Sequence, residues 1–217
     1  MDETALDETD GRLRRGSETR RAVLARAVQV ASLHGLDGIS IGQLATDLSI
    51  SKSGLFARFG AKEELQLATI RAARAIYADA VVAPAMRVPP GLARVWALSE
   101  SWIAYSQARI FRGGCFFARA SLEFGGRPGA VRDALVAAHR EWMSLLGQTL
   151  DDARLLGELL PALDVQQLAF ELQAVLDAAN VGSLLDDEQC YAHARAAAQQ
   201  RLQQAVAPDI ALPWDAG

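Results

Sequence analysis

Between Gly35 and Gly60 the chain has room for short helices and tight turns and for little else. Before this stretch, apolar residues recur at Val23, Leu24, Ala27, Val28 and Ala31, one face of a helix from Ser17 to His34. Gly35 suits the left-handed residue that ends such a helix. Ser40 and Gln43 then have the S-x-x-Q spacing in which each side chain satisfies an orphan backbone amide, so a second helix is predicted from Ile41. It carries Ile41, Leu44, Ala45 and Leu48 inward and stops at Ser49-Ile50. Ser51 caps a third short helix, Lys52 to Phe59, with Leu55 and Phe59 as its core positions, and Gly60 breaks the chain again. Two short helices joined by a tight turn are the skeleton of a helix-turn-helix.

Charge separates along the chain in the same place. Residues 1–10 hold five acids and no base, residues 11–75 eleven Lys and Arg against five acids, and residues 76–217 eleven against sixteen. A positive segment inside a chain of net charge −4 suits a polyanion-binding module, because Lys and Arg displace counterions from phosphates; it also suits an ordinary solvated surface. The rest of the chain is rich in alanine and leucine, with 6% aromatic residues and seven prolines, which favours an all-α fold. No apolar run reaches the ~18–20 residues of a membrane span. The acidic start MDETALDETD is unlike a secretory signal, so no membrane contact and a cytoplasmic location are expected. The separated cysteines Cys115 and Cys190 form neither a disulfide framework nor a metal-ligand pattern.

In order and spacing, Leu44-Ala45, the turn Ile50-Ser51-Lys52-Ser53, Leu55-Phe56-x-x-Phe59 and Lys62-Glu63-Glu64-Leu65 resemble the amino-terminal DNA-binding domain of the TetR family of regulators. The resemblance runs from about Arg20 to Arg74. It implies a disordered tail at 1–16, a three-helix DNA-binding domain at 17–62, a helical ligand-binding and dimerisation domain at 63–206 and a tail at 207–217. It further implies a repressor that leaves a palindromic double-stranded DNA operator when a small apolar or amphipathic molecule binds.

In such a domain the recognition helix enters the major groove and flanking helix N-termini face phosphates. The expected DNA-contacting residues are Ser40, Gly42, Ser51, Lys52, Ser53, Gly54, Phe56, Arg58 and Lys62. Arg58 or Lys52 suits guanine O6 and N7, although Arg58 also reads as an ordinary exposed helical arginine. The caps Ser40 and Gly42 would exist in any helix. In the family a lysine at the place of Lys62 meets the DNA backbone; Glu63 and Glu64 could balance its charge against the helix dipole. Phe56 stands where the family commonly has tyrosine, leaving it packing alone, and Gly60-Ala61 replaces a better helix cap. Arg12, Arg14, Arg15, Arg20 and Arg21 are candidates for non-specific or minor-groove affinity.

Beyond Lys62 the pattern predicts helices at about 62–82 (ending before Pro84), 91–110, 114–124, 129–157, 165–185 and 187–206. By the resemblance the last two pair with a second subunit in a homodimer; their alanines allow close approach, though they also suit intramolecular core. Trp96, Phe111, Phe124 and, chosen as ligand-binding residues, Trp102, Tyr105, Phe116, Phe117, His139, Trp142 and Met143 supply a mostly apolar pocket or simply core. Asn180, alone in an apolar helix, is a ligand handle or a bond across the dimer. Cys115 after Gly113-Gly114 is either a reactive thiol, hence a redox or electrophile sensor, or a buried inert one. An enzyme using Cys115 with His139 or His193 has no motif spacing behind it. No acidic pair, phosphate loop or metal cluster is present, so no cofactor is expected.

Overall fold

The computed structural model describes the backbone of residues 3–215 and the side chains of residues 16–215. Within that range the chain is all-α, apart from an antiparallel bridge between Leu159 and Val206. The first helix, α1, spans Glu3–His34 and so begins well before Ser17. Gly35 ends it at φ +81°, the left-handed conformation that glycine adopts without steric cost. Helices α2 (Ile41–Asp47) and α3 (Lys52–Phe59) follow. Both serine caps form: Ser40 accepts from the Gln43 amide and Ser51 from the Gly54 amide. The reciprocal half of the expected box does not, because the Gln43 side chain donates to Asp47 at 2.7 Å instead. The turn between α2 and α3 passes through Ser49 at φ 54°.

Helix α4 (Lys62–Tyr77) does not simply stop before Pro84. It runs into a π turn, Ala78–Val82, and then into α5, Ala83–Met86. Proline removes a donor and crowds the carbonyl four residues back. The widened turn just ahead of Pro84 absorbs both effects, with the Ala83 amide reaching back to the Ala78 carbonyl. The body continues through α6 (Leu92–Gln107), α7 (Phe116–Phe124), α8 (Ala130–Leu155), α9 (Val165–Leu184) and α10 (Cys190–Ala205). In the tail, Ile210, Leu212 and Trp214 pack on the core, and the Trp96 and Trp214 rings meet at 4.9 Å.

The apolar interior forms two clusters. One unites Val23, Leu44, Leu55 and Phe59 of the first three helices with Trp102, Phe111, Phe116 and Phe124 of the body. The other fills the far end between α6, α8, α9 and α10. The first cluster therefore crosses the expected boundary near residue 62. Polar bonds line the same seam. Gln29 donates to the Ile110 carbonyl at 2.7 Å and accepts from the Arg112 amide, while Ser32 Oγ accepts from the Gly113 amide at 3.2 Å. Glu123 of α7 accepts from the Leu36 and Asp37 amides at 2.7 and 2.9 Å.

Candidate functional site

The residues expected at DNA are all at least partly open to solvent. Ser40, Ser51, Lys52, Ser53, Phe56, Arg58 and Lys62 are exposed, and Gly42 and Gly54 are partly so, whereas Leu55 and Phe59 are buried beneath them. Leu55 and Phe59 are four residues apart and anchor α3 by one stripe, which leaves its other positions facing outward. Phe56 does not pack inward: 58% of it is exposed, a large apolar ring offered to whatever meets α3. Gly54 leaves room for the cap, since a Cβ there would stand 2.8 Å from Ser51 Oγ.

Two of the cations are tied to the protein. Arg58 donates to the Gly16 carbonyl of α1 at 2.8 Å. Lys62 is balanced by neither Glu63 nor Glu64; its Nζ donates to the Asp37 carbonyl at 2.7 Å and lies 3.5 Å from the Asp37 carboxylate. Arg127 also binds that carboxylate. Its hydrogen bond, with Lys62 adding to the field, holds the Asp37 pKa below the ordinary carboxylate value. Arg20 stacks over the Phe59 ring at 4.7 Å, Arg21 is exposed, and the side chains of Arg12, Arg14 and Arg15 lie outside the described residues.

A second site opens among α4, the π turn and α6 to α9. It is a cavity of about 810 Å³, within the range of small-molecule pockets. The structure brings Trp102, Phe117, His139, Trp142 and Asn180 to its wall. Tyr105 and Phe116 lie in the core behind it, and Met143 turns to a shallow groove on α8. Trp96, Phe111 and Phe124 are likewise packing residues rather than wall. The buried Tyr105 hydroxyl lies beside the Cys115 thiol and has no well-formed hydrogen bond among the described residues.

Sequence reasoning missed Tyr77, Gln173 and Asp177, all of which line the cavity. Tyr77 is the hub of the aromatic wall, its ring meeting those of Tyr105, Phe117 and Trp142 edge-on at 5.4, 5.7 and 5.4 Å. Gln173 and Asp177 precede Asn180 by seven and three residues and so share its helical face; the lone asparagine was the signal that could have led to them. Gln173 Oε1 accepts the Trp142 indole N–H at 2.6 Å. Burial pushes the Asp177 pKa up, while the Gln173 amide and His139 act in the opposite direction. At the rim Arg74 pairs with Glu141.

Asn180 finds its partner within the chain: its Oδ1 accepts the Cys115 amide at 2.7 Å, holding the start of α7. Cys115 itself is buried, and that burial raises its pKa although the amides of Ala118 and Phe117 favour the thiolate. Burial of this kind disfavours the thiolate through which a sensor or nucleophile acts. His193 is exposed on α10. Among the described residues there is no cluster able to hold a metal, and no helix is long and apolar enough to cross a membrane.

Comparison with known proteins agrees with this arrangement. The profile described as "Bacterial regulatory proteins, tetR family" matches residues 23–69, and that described as "Tetracyclin repressor-like, C-terminal domain" matches residues 91–198. No curated protein matches the chain. Among solved structures, a TetR transcriptional regulator from Chloroflexus aurantiacus is 23% identical with a TM-score of 0.80, covering 89% of this chain and 98% of its own. A TetR-family regulator from Streptomyces coelicolor is 21% identical with a TM-score of 0.75, covering 87% and 96%. A putative transcriptional regulator from Saccharomonospora viridis, in complex with choline, is 21% identical with a TM-score of 0.74, covering 88% and 98%. With both profiles on a fold that presents an outward helix-turn-helix face, the chain belongs to the tetR family of bacterial regulatory proteins and is a DNA-binding transcriptional regulator, not an enzyme.

Proposed function

We propose that the protein is a cytoplasmic homodimeric repressor that releases a palindromic operator when a small, largely apolar molecule enters the cavity. The observation that carries this reading is the position of α7. One side of it supplies Phe117, Ala118 and Ser121 to the cavity wall, and near its end Glu123 holds the amides of Leu36 and Asp37. A molecule that reshapes the wall thereby bears on the residues that lead into α2. Such a molecule releases DNA only by binding the DNA-incompetent arrangement more tightly than the competent one. Choline in the Saccharomonospora viridis regulator supports small organic ligands as a class for this fold.

Operator affinity is expected to fall by about three orders of magnitude between 50 and 200 mM salt, as for a dimer that neutralises six or more phosphates. Lys52, Arg58 and Lys62 supply those charges, the latter two by leaving Gly16 and Asp37. A fluorescence titration in which affinity hardly changes with salt contradicts the assignment of this face to DNA.

The dimer reading rests on α9 and α10. Phe170 (63% exposed), Ala174, Ala178, Val181 (55%) and Leu185 (75%) form one exposed apolar stripe along α9, next to exposed Ala192 and Ala196 on α10. Such a stripe costs free energy in water and suits a self-complementary contact between copies. Phe170→Asp is expected to yield a monomer in sedimentation analysis and to weaken operator binding at least about a hundredfold, because the two half-sites are no longer bound together. A variant that remains dimeric places the interface elsewhere.

A further inference from the structure

We infer that the cavity is built for an organic cation, an amine or quaternary ammonium on an apolar frame, with its charged head against Asp177. The inference rests on the cavity's being a ligand site and adds the chemistry of the ligand. Asp177 is half-buried in the wall and makes no ion pair with any described residue. Of the nearby bases, Arg74 is paired with Glu141, Arg71 is exposed at the rim, and His139 favours the ionised carboxylate by its charge but forms no ion pair with it. A carboxylate half withdrawn from water without a close ion-pair partner is unfavourable, and it is retained most readily where a ligand brings a charge into contact with it.

The surroundings suit a positive head more than a neutral or negative one. Tyr77, Phe117 and Trp142 line the same space, and aromatic faces attract ammonium groups. The Trp142 indole is held by its bond to Gln173 Oε1, and the Gln173 amide in turn favours the charged form of Asp177. The ring is thus held in place before any ligand arrives. Ala75, Ala78, Val82, Leu135 and Leu145 add an apolar part of the wall that accepts an alkyl or aryl frame. An anion entering the same space would face Asp177, with Arg74 already paired to Glu141 and only Arg71 and His139 left to meet it.

The test uses the full-length protein and four probes that share one chain: decyltrimethylammonium, decylamine, 1-decanol and decanoate. Calorimetric binding and operator release are measured for each. The two cations are expected to bind at least about tenfold more tightly than decanol and decanoate. Asp177→Asn is expected to erase that preference while leaving decanol binding intact; Asp177→Ser serves as a second variant should the first fold poorly. Tightest binding of decanoate or decanol to the unaltered protein, or an undiminished preference for the cations in Asp177→Asn, overturns the inference and leaves the ligand cavity standing. Binding of none of the four overturns both.

Discussion

Gly113→Ala is expected to cost about 3 kcal/mol of folding stability and to lower the melting temperature by roughly 6–12 °C. The reason is backbone against backbone. A Cβ on Gly113 would stand 1.9 Å from the Ser32 carbonyl oxygen, 2.4 Å from its carbon and 2.9 Å from the Leu33 Cα. Those atoms belong to α1, whose hydrogen-bonded main chain cannot swing aside as a side chain would. Relief requires α1 and the segment before α7 to separate. That separation also breaks the bond from the Gly113 amide to Ser32 Oγ. Gly126→Ala is the control, since a Cβ at Gly126 meets nothing within 4 Å, and it is expected to melt within about 1 °C of the unaltered protein. Thermal melts of both variants suffice. If Gly113→Ala matches the control, the seam is looser than the described contacts require.

Glu123→Ala is expected to uncouple the cavity from DNA. Its carboxylate is the acceptor for the Leu36 and Asp37 amides at the end of α1, and Leu36 is fully buried. Leaving such a donor unsatisfied costs about 1–3 kcal/mol. The same segment is held from the other side, because Gln66 donates to the Leu36 carbonyl and Lys62 to the Asp37 carbonyl. With Glu123 gone, α4 still grips the segment but α7 does not. Ligand affinity should therefore remain within about twofold, while the factor by which ligand weakens operator binding falls about tenfold, the scale of a typical coupling free energy. Glu123→Gln keeps one acceptor oxygen and should fall between. Ligand-induced release that is unchanged in Glu123→Ala removes α7 from the route between the sites.

The DNA-facing third of the molecule was legible because its signals are local. Ser40, Ser51, Gly35 and Gly60 act on amides and dihedrals within a few residues, so their spacing announces helix ends without knowledge of the rest. Pro84 misled for the same reason: a local rule reads it as a stop, but the π turn lets the helix continue past the missing donor. Cavity residues depend instead on which faces of separate helices converge. Trp96 looked like wall and packs on Trp214, more than a hundred positions away, whereas Tyr77 looked like part of a connecting helix and stands at the centre of the aromatic wall. Asp177 escaped notice because an acid in a helix reads as solvated until its neighbours are known.

The apolar cluster that joins Val23, Leu44 and Phe59 to Trp102, Phe111 and Phe116 bears on how this molecule can be taken apart. Grafting its reader onto a foreign sensor at Lys62 cuts through oil, not through a tether. The severed half exposes greasy surface that the new host has to cover again. A core shared in this way predicts that the two parts melt together as one unit rather than in separate steps.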